Sequence, residues 1–72
     1  PDPVRAMNII LNGEDKHLDQ PITVSQLLTE LGVAGKRVAV EVNLEIVPRS
    51  AHNDFKLNDA DRVEVVQAIG GG

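Results

Sequence analysis

Only one stretch of this chain carries a helical period. Val24, Leu27, Leu28 and Leu31 fall at i, i+3, i+4 and i+7 and line one face of a helix, whereas the other apolar segments alternate at a period of two. A chain of 72 residues holds one small core, and a helix of roughly two turns covers one face of a small sheet. The pattern therefore predicts a two-layer α+β domain. Thr23 stands just before the stripe with Gln26 three residues on, the spacing of a capping box in which each side chain satisfies the other's free backbone N–H. Gly32 suits the left-handed position past the helix end, and Val33 supplies the apolar contact that accompanies it. The helix is expected from Val24 to Leu31.

Around that helix the strands are legible by alternation. Met7, Ile9 and Leu11 point one way and Asn8 the other, with Ile10 breaking the polar face. Asn12-Gly13 then supplies two residues that tolerate positive φ, the requirement of a tight hairpin turn. The return strand, Glu14 to Leu18, is polar except for Leu18 and reads as an edge strand exposed on one face. Val38, Val40 and Val42 mark a third strand and Ile46-Val47, after a turn at Asn43-Leu44-Glu45, a short fourth. Pro48 lacks a ladder donor, so the fourth strand belongs at an edge. Ser50 to Phe55 has no clean period and is expected to form a helical turn that lays Phe55 and Leu57 over the open end of the core. Asn58 to Asp61 is a turn cluster, and Val63 and Val65 mark a last strand. A hairpin, a crossing helix and a second hairpin with the last strand in the middle describe the β-grasp, or ubiquitin-like, arrangement: a mixed sheet of four or five strands on one helix.

The domain is expected over residues 7–67. Pro1 to Ala6 precede the only methionine without periodicity and read as an expression remnant or a flexible arm, and residues 68–72 read as a flexible glycine tail. Cysteine is absent, which removes disulfides, thiolate-bound zinc, iron–sulfur clusters and thiol nucleophiles together. A net charge of −4 and a single aromatic residue, Phe55, argue against a cationic nucleic-acid groove with stacking platforms. No apolar run is long enough to cross a bilayer; the expectation is a soluble, cytoplasmic protein, monomeric when free.

Side chains with catalytic potential find no partners in the sequence. His17 and His52 lack a zinc-ligand spacing and read as solvated surface residues. Asp59 and Asp61 spell no calcium loop and are explained by turn formation, while Ser25 and Ser50 have no histidine and aspartate in an evident relation to them. The expectation is no catalytic residue, no metal and no bound cofactor. What remains is Gly70-Gly71-Gly72. One reading is a frayed end or a cloning scar. The other is that a tail without side chains threads a narrow channel, the five residues after Gln67 spanning at most roughly 17 Å at ~3.3–3.6 Å each. A free α-carboxylate is ionised at neutral pH, with a pKa near ~3.5, and is a poor electrophile. An ATP-using partner would have to activate it.

The residues converge on a family. Met7-Asn8-Ile9-Ile10-Leu11-Asn12-Gly13, Thr23-Val24 with Leu27-Leu28, Val40 and Val42-Asn43 with Ile46-Val47-Pro48-Arg49, Asp59 and Asp61 with Val63-Glu64-Val65, and the final Gly71-Gly72 resemble the ThiS family of sulfur carriers of bacterial thiamin biosynthesis. The resemblance covers Met7 to Gly72. It implies a β-grasp fold and a carrier rather than an enzyme: a ThiF-type adenylating enzyme uses ATP to activate Gly72, a sulfur-donating enzyme converts it to a thiocarboxylate, and thiazole synthase, ThiG, receives the sulfur. Gly72 is then the modified residue, and Ile69, Gly70 and Gly71 enter the partners' active sites. The family's aspartate-glycine-aspartate turn reads Asp59-Ala60-Asp61 here, which bears on turn geometry. The small subunit of molybdopterin synthase, a MoaD-like carrier, shares the fold and the glycine pair; another ubiquitin-like modifier and a plain β-grasp interaction module are the remaining readings.

Overall fold

A computed structural model describes residues 6–67. The elements in order are β1 (Met7–Leu11), β2 (Glu14–Leu18), α1 (Val24–Glu30), β3 (Val38–Val42), β4 (Glu45–Val47), a 3₁₀ turn (Arg49–Ala51) and β5 (Arg62–Gln67). Five strands form one sheet in the order β2-β1-β5-β3-β4. β1 and β5 run parallel and every other neighbouring pair is antiparallel, so the sheet is mixed with its last strand at the centre. This is the expected β-grasp arrangement. Both polar or proline-flanked strands, β2 and β4, occupy the edges, where a missing ladder partner costs nothing.

The helix is built as its ends predict. Thr23 Oγ1 accepts from the Gln26 N–H at 3.2 Å and Gln26 Oε1 accepts from the Thr23 N–H at 2.8 Å, a reciprocal capping box. At the other end Gly32 takes φ +76, the Val33 N–H donates to Leu28 O at 3.0 Å and the Gly32 N–H to Thr29 O at 3.1 Å, which closes a Schellman motif. Leu31 is the cap rather than the last helical residue. The segment without periodicity, Ser50 to Phe55, proves to be the seat of the helix: the carbonyls of Phe55 and His52 accept from the N–H groups of Val24 and Ser25 at 2.9 and 3.0 Å. Donors that a helix start leaves unpaired are thus satisfied from another loop, a long-range relation that no local pattern encodes.

The core lies between α1 and one sheet face. Ile9, Val24, Leu27, Val40 and Val63 are fully buried, with Leu57 closing the end as expected and Phe55 packed half-buried against it. His52 departs from expectation. It was to be a solvated surface residue and is buried instead, because the turn after Pro48 folds it back so that its Nε2–H donates to the carbonyl of Val47 at 3.1 Å. His17 is exposed as expected, with Asn8 and Asp19 beside it.

Ala60 takes φ +72 in the turn before β5, where a side chain costs about 1–2 kcal/mol relative to the right-handed region. Glycine would remove that strain but adds unfolded-chain entropy. Ala60→Gly is therefore expected to stabilise the domain by about 0.5–1 kcal/mol, read as a higher midpoint in urea at unchanged slope.

Candidate functional site

The expected working residues, Ile69, Gly70, Gly71 and Gly72, lie outside the described residues, as does Ala68. The structure does describe the strand that leads to them, and β5 is paired on both sides. Along β3 it is paired from Val63↔Val42 to Gln67↔Val38. Along β1 the ladder covers only Arg62 and Val63, because β1 turns away into its hairpin. Asn12 makes up the difference.

Asn12 takes φ +49 as the first turn residue, and its N–H donates to Val63 O at 2.9 Å. Its carboxamide then acts as one more peptide unit: Oδ1 accepts from the Val65 N–H at 2.9 Å and Nδ2 donates to Val65 O at 3.3 Å. The side chain thus extends β1 along β5. Asn12→Ala removes both bonds and a residue suited to positive φ, with an expected loss of ~1–2 kcal/mol. Hydrogen exchange at the Val65 amide should accelerate by more than exchange at Val63. The sequence flagged Asn12 only as a turn former, since its partner lies 53 residues away.

The start of β5 has a second clamp. Asn43, at φ 52, donates from its N–H to Arg62 O at 2.7 Å and accepts the Arg62 N–H on Oδ1 at 3.0 Å, while its Nδ2 donates to Asp61 Oδ1 at 2.9 Å. Asp61 is buried and its Oδ2 accepts from the Asn58 N–H at 2.8 Å; Asp59 Oδ1 accepts from the Asn8 N–H, also at 2.8 Å. Both carboxylates are turn formers, as expected: both oxygens of Asp61 and Oδ1 of Asp59 accept from backbone or amide donors. Among the described residues no group of three histidines and carboxylates could hold a metal ion. Ser25 sits in the first turn of α1 and Ser50 in the 3₁₀ turn.

The sheet face opposite the helix is the other functional candidate. Ala39 pairs with Val66 and Glu41 with Glu64, and Ile46 lies across from Glu41 on β4. Ile46 and Val66 are 71% and 62% exposed, more than the fold needs of large apolar residues. Leu44, at the tip of the β3–β4 hairpin, is 84% exposed at φ 71, a conformation costly for a bulky side chain. Glu41 and Glu64, directly opposite, repel rather than stabilise. No sequence signal marks these residues, because the alternation that identifies a strand reports its buried face and not its outer one.

Comparison with known proteins agrees with this picture. The profile of the ThiS family matches residues 9–72. A thiazole synthase of Paramagnetospirillum magneticum is 48% identical over 66 residues, 92% of this chain and 20% of that protein. The chain thus spans about a fifth of the length of the thiazole synthases it matches. The sulfur carrier protein ThiS of Bacillus subtilis is 36% identical over 63 residues, covering 86% of this chain and 96% of the relative. The crystal structure of the thiamine biosynthesis protein ThiS from Geobacter metallireducens superposes with a TM-score of 0.79 at 36% identity, over 92% of this chain and all of the other.

Proposed function

Because this chain belongs to the ThiS family, we propose that it is a sulfur carrier of thiamin biosynthesis that carries sulfur on Gly72. The observation that supports this most is the reach of the family match, which runs across the β-grasp domain and on through Gly71-Gly72. The chain is a cosubstrate rather than a catalyst, in keeping with the carrier named among its relatives. Chemistry on such a chain needs three things: a carbonyl, an address and freedom from side reactions. Gly72 supplies the first, the folded domain the second, and the absence of cysteine removes any internal thiol that would capture an activated end.

The steps follow from the carboxylate. A carboxylate oxygen attacks the α-phosphorus of ATP in a ThiF-type adenylating enzyme, and pyrophosphate leaves. Hydrosulfide supplied by a donor enzyme then attacks the acyl carbon, the acyl–phosphate C–O bond breaks and AMP leaves, giving the thiocarboxylate. Thiazole synthase is the acceptor, and the thiazole synthase relatives that contain a region like this chain support that pairing. Residues 69–71 pass through the partner's channel, where the two glycines present no side chain to its wall. Asn12 and Asn43 hold β5, the strand that leads into that segment, through hydrogen bonds from the Val65 and Arg62 N–H groups. The test is isotope exchange between pyrophosphate and ATP by a ThiF-type enzyme, which should depend on added chain and saturate with it. Exchange that is indifferent to the chain would contradict the proposal.

A further inference from the structure

The distribution of positive charge is uneven for so acidic a protein. Of seven basic residues in a chain of net charge −4, three gather at one corner. Lys36 and Arg49 line one concavity, beside Ser25, His52 and Asn53, and Arg37 and Arg49 line the adjoining one, beside Ala39 and Val66. Arg49 belongs to both, so the three cations form one group. No carboxylate lines either concavity, and among the described residues the ion pairs are Lys16–Glu30 and His17–Asp19, neither of which involves these three. All three are exposed. Like charges held together without counterions gain nothing for the fold.

Their position gives the arrangement a use. Ala39 pairs with Val66 and Val38 with Gln67, so the group stands where β5 ends and the chain continues into residues 68–72. The neighbouring open face is apolar at Ala39, Val66 and Ile46 and acidic at Glu41 and Glu64. This corner therefore borders the last described residues of β5, from which a partner takes up the tail.

We infer that Lys36, Arg37 and Arg49 dock against an acidic surface of the adenylating enzyme, bordering the channel that receives the tail. This rests on the carrier reading and specifies the partner's complementary chemistry. A protein surface fits better than a small anion because the cations are exposed rather than converging on a closed cavity, and the one buried polar ring in the group, His52, already donates its Nε2–H to Val47. Nucleic acid is disfavoured by the overall charge and the lack of aromatic platforms. Attraction of this kind acts on encounter and register more than on the chemical step, and salt weakens it.

The test uses chain-dependent pyrophosphate–ATP exchange by the adenylating enzyme. Arg37→Glu and Arg49→Glu should each raise the KM for the chain about 10-fold at low salt with kcat within about twofold, and the gap to wild type should narrow as sodium chloride is added. Lys56→Glu makes the same change in net charge elsewhere and should leave KM unchanged. Thermal melts exclude unfolding as the cause for each variant. An unaltered KM in both corner variants, or an equal rise with Lys56→Glu, overturns the docking inference while the carrier reading stands. Absence of any stimulation by the wild-type chain overturns both.

Discussion

Deletion of Gly72 is expected to abolish chain-dependent adenylation while leaving the melting temperature of the domain unchanged. The two effects separate because stability and chemistry reside in different parts of the chain. Among the described residues those that are buried all precede Arg62 except Val63, and the described pairing of β5 runs to Gln67, opposite Val38. Removing one glycine takes away no side chain, but it shortens the reach to the activating site by about 3.5 Å, a displacement that reaction geometry does not tolerate. Appending a residue after Gly72 should be equally inactivating, because the carboxylate then lies too far along. Gly71→Trp tests the channel itself: the reach is preserved, and the side chain has to collide with a wall shaped for glycine. A fully active deletion variant would place the chemistry elsewhere in the molecule.

Leu27→Ala should act in the opposite sense, costing ~2–5 kcal/mol of stability without touching the reacting end. Leu27 is fully buried at the centre of α1, the α-helix that covers the sheet, and the domain has no disulfide to limit the loss. Small domains have ~5–15 kcal/mol in total, so the variant should retain a reduced fraction of that and melt at least ~10 °C lower. Leu28, also buried at 6% exposure, should show a cost in the same range. A chemical denaturation midpoint within experimental error of wild type would mean that α1 does not pack on the sheet as described.

How much of this was legible depends on whether the signal was local. The capping box, the Asn12-Gly13 turn and the alternation of Val38, Val40 and Val42 each sit within a few residues, and each was found where its spacing predicted. The central position of β5 was reached through topology, since a β-grasp order leaves the last strand only that place. The burial of His52 is not legible in the sequence, because it depends on the fold-back of the turn after Pro48 and on a carbonyl at Val47, and a lone histidine in an aperiodic segment gives no sign of either. The same holds for Asn12 and Asn43, whose amides replace missing backbone partners on β5; asparagine at a turn advertises its positive φ and hides its second role. The cationic corner is hidden for a different reason: Lys36 and Arg37 are adjacent in sequence, but Arg49 joins them only through the fold. The glycine segment, by contrast, was conspicuous in composition alone, and it lies beyond the residues whose placement the structure describes.

The central claim is that Gly72 carries sulfur, and intact mass spectrometry tests it most directly. The wild-type chain is incubated with ATP, a ThiF-type adenylating enzyme and a sulfur source, then weighed intact and again after C-terminal fragmentation. The account predicts a gain equal to the difference between one sulfur and one oxygen, localised to Gly72 and absent when ATP is withheld. An unchanged mass under conditions in which a known carrier is loaded, or a gain localised to any other residue, would contradict it.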